Sequence, residues 1–305
     1  MANPLKTSNI TVPKTLVEPW LKKVANGSTI AVLSGQQPML FGEEEAMVFG
    51  SGEAEYVGEG ANKGSSDITV GTVTTKPFKF QKTVRWTDEV KYADEDHKLN
   101  VVKQILENIQ PALSRALDFG VYHAINPKTG VAVAAMTSKV SGTTNSVTAT
   151  VGLKPHALLD AADALVLASG YMPKDIALDP ALAATFSTLR GTNSEQKLYP
   201  NFKLSTDASE LDGHNASVSN TVGALTVADE ATNVLGFVGD FSGIRWGIQR
   251  AVGLKMIEYG DPDGGGDLQR NNQVAFRAEV IYGWGIADLN AFAKIVKPTQ
   301  EPEEV

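Results

Sequence analysis

Cysteine is missing from all 305 residues. Its absence excludes disulfides and thiolate metal sites, and it fits folding in a reducing compartment. Histidine is scarce as well. His97, His123, His156 and His214 are the only four, and none stands at metal-ligand spacing with another histidine or a suitable carboxylate motif, so structural roles are expected. No run of apolar residues reaches the ~18 that a membrane span needs, and residues 1–8 lack the apolar core of a signal peptide. There is no G-x-S-x-G elbow and no Walker loop. Gly50-Ser51-Gly52 and Gly58-Glu59-Gly60 hint at a dinucleotide fingerprint but lack its strand–turn–helix context, and they read as bends in a hairpin. The acidic run 261–267 lacks the closing glutamate of a calcium loop, so a flexible surface turn is expected there. Positive charge is also short: 27 Lys and Arg against 35 Asp and Glu give a net charge of −8, with the cations scattered. A protein that grips nucleic acid shows a basic face, because phosphate neutralisation supplies most of the affinity. Catalysis, metal or cofactor binding and direct DNA binding are therefore not expected.

What is present points to a loop-rich mixture of helix and sheet. Hydrophobic residues make up 42%, enough for a large core, and 28 glycines with 14 prolines punctuate the chain. Prolines at 13, 19 and 38 keep the first fifty residues extended. Within them, Leu16, Trp20, Leu21 and Val24 mark a short amphipathic helix over 15–25, and 28–33 and 39–41 read as strands. Residues 51–92 alternate in two limbs. Ala54, Tyr56 and Val57 rise, 61–67 form a polar tip, and Ile68, Val70, Val73, Phe78, Phe80, Val84 and Trp86 return. So long a hairpin with so polar a tip is expected to project from the body.

Residues 94–124 carry the longest helical period, through Leu99, Val102, Ile105, Leu106, Ile109, Leu113, Leu117 and Val121. Pro111 predicts a kink or two abutting helices. Residues 131–150 read as β-rich. Helices follow at 154–169, ending at Gly170, and after the Asp179–Pro180 start. A polar loop fills 191–215, and strands are expected at 216–227, 234–238, 243–258 and 273–296. The pairs Phe78/Phe80 and Tyr282/Trp284 read as strand packing.

Several landmarks, in order, carry a family resemblance. They are Val12-Pro13 with Trp20-Leu21; Glu53 to Gly60 followed by Lys63 and Ser66 to Ile68; Ala116-Leu117-Asp118 near the end of the long helix; and Ile176 to Pro180. Residues 211–219, Gly239 to Ser242, Arg270 to Glu279 and Ala291-Phe292 complete the series. From about residue 10 to 295 the chain resembles the major capsid proteins of tailed bacteriophages. That resemblance implies an α+β phage major capsid fold, the Hong Kong phage type. It comprises an N-terminal arm (1–50), an extended hairpin or E-loop (51–92), a peripheral domain with a long spine helix (93–130 and 240–281), an axial domain (131–239 and 282–298) and a flexible tail (299–305).

The implied function is that of a structural shell protein, not an enzyme. It would self-assemble into hexamers and pentamers of an icosahedral head that encloses double-stranded DNA. The alternative is the shell of a bacterial encapsulin-type compartment enclosing cargo enzymes; the long arm before the hairpin favours the phage. Implied partners are further copies of the chain, a portal, and separate scaffolding, protease or decoration proteins. Packaged DNA is contacted only indirectly and no membrane is involved. Assembly would take place in the host cytoplasm, and with Met1 so close to the arm no fused scaffolding segment is expected.

Glu53, Glu55, Glu59 and Lys63 of the hairpin, and Arg245, Arg250 and Arg277 of the body, are the expected contact residues between subunits. Lys63, Asn272 and Glu279 match the positions that form an inter-subunit isopeptide crosslink in some members of the family. Asn272 and Glu279 are an odd number of residues apart, so a regular strand would put them on opposite faces.

Overall fold

A computed structural model of the chain describes residues 27–51, 54–65, 68–89, 101–150, 154–191 and 195–298. The helix expected at 15–25 lies outside them. Two sheets organise the described chain. The first has four strands in the order β1 (Glu44–Ser51), β2 (Ile68–Thr87), β9 (Gln273–Ile286) and β8 (Ile244–Ile257), with antiparallel pairing throughout. The second has six, in the order β3 (Ser146–Thr148), β10 (Phe292–Val296), β7 (Val234–Gly239), β4 (Asp175–Leu178), β6 (His214–Val218) and β5 (Ser209–Leu211). Beyond the passage from β2 to β3, the chain crosses between them at two short connections. The connections β7–β8 and β9–β10 are each one turn of 3₁₀ helix, capped by Asp240 and Asp288 through the amides of Ser242 and Asn290. Gly239 precedes the first crossing because a Cβ there would lie 2.3 Å from the Ala291 carbonyl oxygen.

The four-stranded sheet is laid against the long helix α2 (Val101–His123), which runs through Pro111 as one helical element instead of breaking there. Its buried face, Ile109, Leu113, Ala116, Leu117 and Val121, meets Phe80, Tyr282 and Trp284 in one core. That burial holds the helix across the amide hydrogen bond that proline cannot make. The expected strand packing is present: Phe78 lies 4.3 Å from Trp284, and Phe80 6.0 Å from Tyr282, centroid to centroid. Helices α3 (Pro155–Ala168) and α4 (Pro180–Thr188) bury their apolar faces against the six-stranded sheet. Their ends fall where expected. Gly170 takes φ +83° after α3, and the Asp179 carboxylate accepts from the Ala181 amide to start α4.

Six local expectations change. Residues 28–33 form a short helix, α1 (Thr29–Leu33), although Thr29, Ile30 and Val32 favour strand. The Ser28 hydroxyl accepts from the Ala31 amide, and a carboxylate from the long helix takes the other free amides. Residues 39–41 join no ladder; this stretch crosses β8, with the Gln37 amide donating to Trp246 O at 2.9 Å.

The rising limb of the hairpin is Glu44–Ser51, while 54–58 lies outside the ladder. Glu43, Glu45 and Met47 point into solvent, which hides this strand from a search for apolar alternation. Residues 131–150 are mostly irregular, with one turn of 3₁₀ helix and the three-residue β3. The strand expected over 216–227 stops at Val218. Ser219 caps a one-turn helix, α5 (Asn220–Gly223), through the Thr221 amide. Residues 273–296 likewise divide at the second crossing into β9 and β10.

Candidate inter-subunit surface

The hairpin sets the geometry. Residues 76–87 of β2 pair with β9, whereas 68–75 pair with β1 alone, so the two-stranded part continues beyond the four-stranded sheet. At its far end Glu55, Glu59 and Lys63 are all exposed, and Tyr56 is 92% exposed. Glu55 folds against Gly64, where a Cβ would lie 2.8 Å from its Oε2. Large apolar side chains are uncovered on β1 and in the segment leading into it: Met47 is 68% exposed, and before the strand Phe41 is 67% and Leu40 81% exposed. Glu53 lies outside the described residues.

The three arginines expected to meet a neighbour differ. Arg245 is held in its own chain, donating to Glu44 at 3.0 Å. Arg277 donates through Nε to Thr83 Oγ1 at 3.0 Å and through Nη2 to Pro262 O. Arg250 is exposed and has no ion-pair partner among the described residues.

The crosslink candidates are not gathered within one chain. Asn272 is exposed with φ +50°, just before β9. Glu279 lies inside β9 and pairs with Lys79 at 2.8 Å. Seven residues of strand separate Asn272 from Glu279, roughly 23 Å at ~3.3 Å per residue.

Two networks fix the root of this surface, and the residue types alone did not single out either. Asp118 is fully buried on α2. Its carboxylate accepts from Ser28 Oγ, from Thr29 N at 3.0 Å and Oγ1 at 2.8 Å, and from Ile30 N at 3.2 Å, all in the first turn of α1. Thr221 Oγ1 adds a fifth bond from α5 at 2.6 Å. Burial pushes the carboxyl up, and these donors pull it back. One carboxylate thus joins α1, the long helix and α5. The signal was present, as a lone acid beside Leu113, Leu117 and Val121 on the apolar stripe.

The second network is the 261–267 turn, which is an organised clamp rather than a free loop. Arg85 of β2 donates to Asp261 at 2.8 Å through Nη2 and to Asp263 at 2.7 Å through Nε. The same aspartates accept from the amides of Gly265 and Gly266. Hydrogen bonding from Arg85 holds the Asp263 carboxyl below its usual range. The hairpin is thereby tied to the β8–β9 connection.

Among the described residues no group of His, Asp and Glu is placed to hold a metal ion. No helix there is long and apolar enough to cross a membrane. Of the histidines, His123 is buried on Val222 O and His214 is paired with Asp163.

Comparison with known proteins resolves what this surface belongs to. The phage capsid family matches residues 8–297, nearly the whole chain. The chain belongs to the phage capsid family. A solved structure from Mycobacterium phage Ogopogo is 41% identical, with a TM-score of 0.77 over 88% of this chain and 92% of that one. One from Gordonia phage Cozz is 29% identical, with a TM-score of 0.74 over 90% and 87%. The capsid of a cyanophage, P-SCSP1u, shares the fold at 14% identity and a TM-score of 0.52, covering 88% of this chain and 87% of that one. No curated protein sequence matches the chain. This capsid-family chain is a shell protein of a phage head and a component of the virion, and the family match favours the phage head over the bacterial compartment. The mixed helix-and-sheet architecture has the Hong Kong phage-type capsid fold.

Proposed function

We propose that this chain builds the head by laying its hairpin across a neighbouring copy, in hexamers and pentamers on an icosahedral lattice around double-stranded DNA. The reading rests on one observation. A two-stranded ribbon, marginal by itself in water, runs beyond its sheet with exposed apolar side chains and three exposed charges at its end. Such a surface is completed by another subunit. The arm is assigned to 1–50, the hairpin to 51–92, the peripheral domain to 93–130 and 240–281, the axial domain to 131–239 and 282–298, and the tail to 299–305. Assembly takes place in the host cytoplasm with a portal and separate scaffolding, protease or decoration proteins, and the subunit is structural, not catalytic. The net charge of −8 suits a wall that confines DNA without gripping it.

Arg250 is the body cation left to receive Glu55 or Glu59 of a neighbour, because Arg245 and Arg277 are engaged at home. Arg250→Glu leaves the subunit folded by circular dichroism but stops shell formation, and Glu59→Arg in the same chain restores it. Shells formed normally by Arg250→Glu alone contradict the assignment. In the covalent version of the same contact the Lys63 amine attacks the Asn272 side-chain amide, ammonia leaves and Glu279 takes the amine proton, with Asn272 and Glu279 drawn from different copies. A ladder on a denaturing gel of mature particles, lost in Lys63→Arg, is the expected sign; a single monomer band rejects the bond.

A further inference from the structure

Residues 34–43 carry the chain from α1 over the edge of β8 and across the four-stranded sheet to β1, on the face opposite α2. Tyr282 and Trp284 point toward α2, so Gly283 between them belongs to the other face, where it stands opposite Gly247 of β8. These two glycines make room for Met39, because a Cβ at either would come to within 3.0 Å of its side chain. Gly42 is gripped next. β8 bulges at Gln249, the residue without a partner on β9, and a bulge re-aims the side chain it carries. The Gln249 carboxamide donates to the Gly42 carbonyl at 2.8 Å and accepts from the Gly42 amide at 3.2 Å. Glu44 closes the loop. It takes the Leu40 amide on Oε1 at 2.6 Å and Arg245 Nη2 on Oε2 at 3.0 Å.

Between these fixed points Leu40 and Phe41 face solvent, 81% and 67% exposed. On a free loop such a pair turns aside; here the backbone is bonded on both sides of it, and apolar groups held outward mark a docking surface. A cation lies beside them. Arg250 follows the bulge and pairs with Ile281, which is on the same face as Gly283 and two residues along β9 from it, roughly 7 Å. The end of the hairpin carries the complementary set. Tyr56 is 92% exposed, so the described chain does not cover its ring, and the exposed carboxylates Glu55 and Glu59 accompany it.

We propose that Leu40 and Phe41 are the seat for Tyr56 of a neighbouring copy, with Arg250 beside them taking Glu55 or Glu59 of the same tip. Aromatic ring meets apolar pair and carboxylate meets guanidinium, and tyrosine and arginine are among the side chains that most often anchor interfaces. The bonds from Gln249 and Glu44 set the seat before contact, which spares an ordering cost that association otherwise meets. The inference rests on the hairpin-docking reading and adds to it the place where the tip lands.

The probe is benzoylphenylalanine in place of Tyr56, an aromatic side chain whose ketone captures a neighbouring C–H bond on irradiation. ¹⁵N-labelled subunits carrying it are co-assembled into shells with an excess of unlabelled, unmodified subunits, irradiated, digested and analysed by mass spectrometry. The expected adduct joins the labelled peptide around position 56 to the unlabelled peptide that holds Leu40 and Phe41. Gln249→Ala gives an independent reading, because it frees Gly42 and leaves the apolar pair and the tip intact. Its circular dichroism is expected to be unchanged, while shells require a subunit concentration about fivefold higher or more. Capture at other positions of the unlabelled chain overturns the seat and leaves hairpin docking standing. Capture only within labelled chains, or none at all, overturns the seat and counts against hairpin docking as well. Assembly of Gln249→Ala at the unmodified chain's concentration contradicts a seat set in advance.

Discussion

Asp118 is a buried carboxylate whose hydrogen-bond partners are all neutral. Five hydrogen bonds from hydroxyls and amides hold it, four of them from the turn that begins α1. Removing one donor from such a buried carboxylate costs about 1–3 kcal/mol, so this residue anchors α1 on α2. The two buried histidines respond to pH in opposite directions. His123 donates from Nε2 to Val222 O, and burial pushes its pKa down to about 4. It stays neutral in the fold while the unfolded chain takes up a proton near 6.5. Stability is therefore lost as pH falls from 6.5 toward 4, by about 3 kcal/mol. His214 donates to Asp163 and to the Asp212 carbonyl, and the hydrogen bond to Asp163 raises its pKa. Its contribution is complete below 6.5 and is lost as pH rises through the raised folded value. Urea unfolding of subunits between pH 4 and 8 checks both. His123→Gln flattens the acid side of the profile, and His214→Gln flattens the side above 6.5; unchanged profiles contradict the assignments.

At the scale of elements, the contact between α2 and the sheet depends on close approach. Helix propensity favours alanine over glycine by about 1 kcal/mol, so Gly120→Ala would stabilise a solvent-facing helix. Here the added methyl meets the Trp284 ring inside the core, and overpacking of this kind costs about 1–3 kcal/mol. The expected result is a lower urea midpoint with an unchanged slope; a higher midpoint means the ring moves freely.

The same element shows what the sequence makes legible. Periods of 3.6 residues and local capping, such as Asp179-Pro180 and Gly170, depend on near neighbours and were readable. So were the aromatic pairs on β2 and β9, which follow from alternation. The helix at 29–33 was not, because the group that satisfies its amides stands about ninety positions away on α2. The clamp at 261–267 was missed for the same reason, since Arg85 comes from a strand far back in the chain. In the candidate surface, the exposed tip residues were legible as polar punctuation. That Arg245 and Arg277 are already engaged within the chain was not, because ion pairing between distant strands leaves no local pattern.

At the scale of the whole molecule, two sheets, a long helix between them and an overreaching hairpin make a tile. The tile buries its own core and leaves one ribbon uncovered. The most direct test is electron microscopy of the purified chain under assembly conditions, with its separate scaffolding protein if one is required, beside a variant lacking residues 58–68. The account predicts closed icosahedral shells with hexameric and pentameric units for the intact chain, and folded but unassembled subunits for the deletion. Monodisperse monomers from the intact chain under every assembly condition, or normal shells from the deletion, would contradict it.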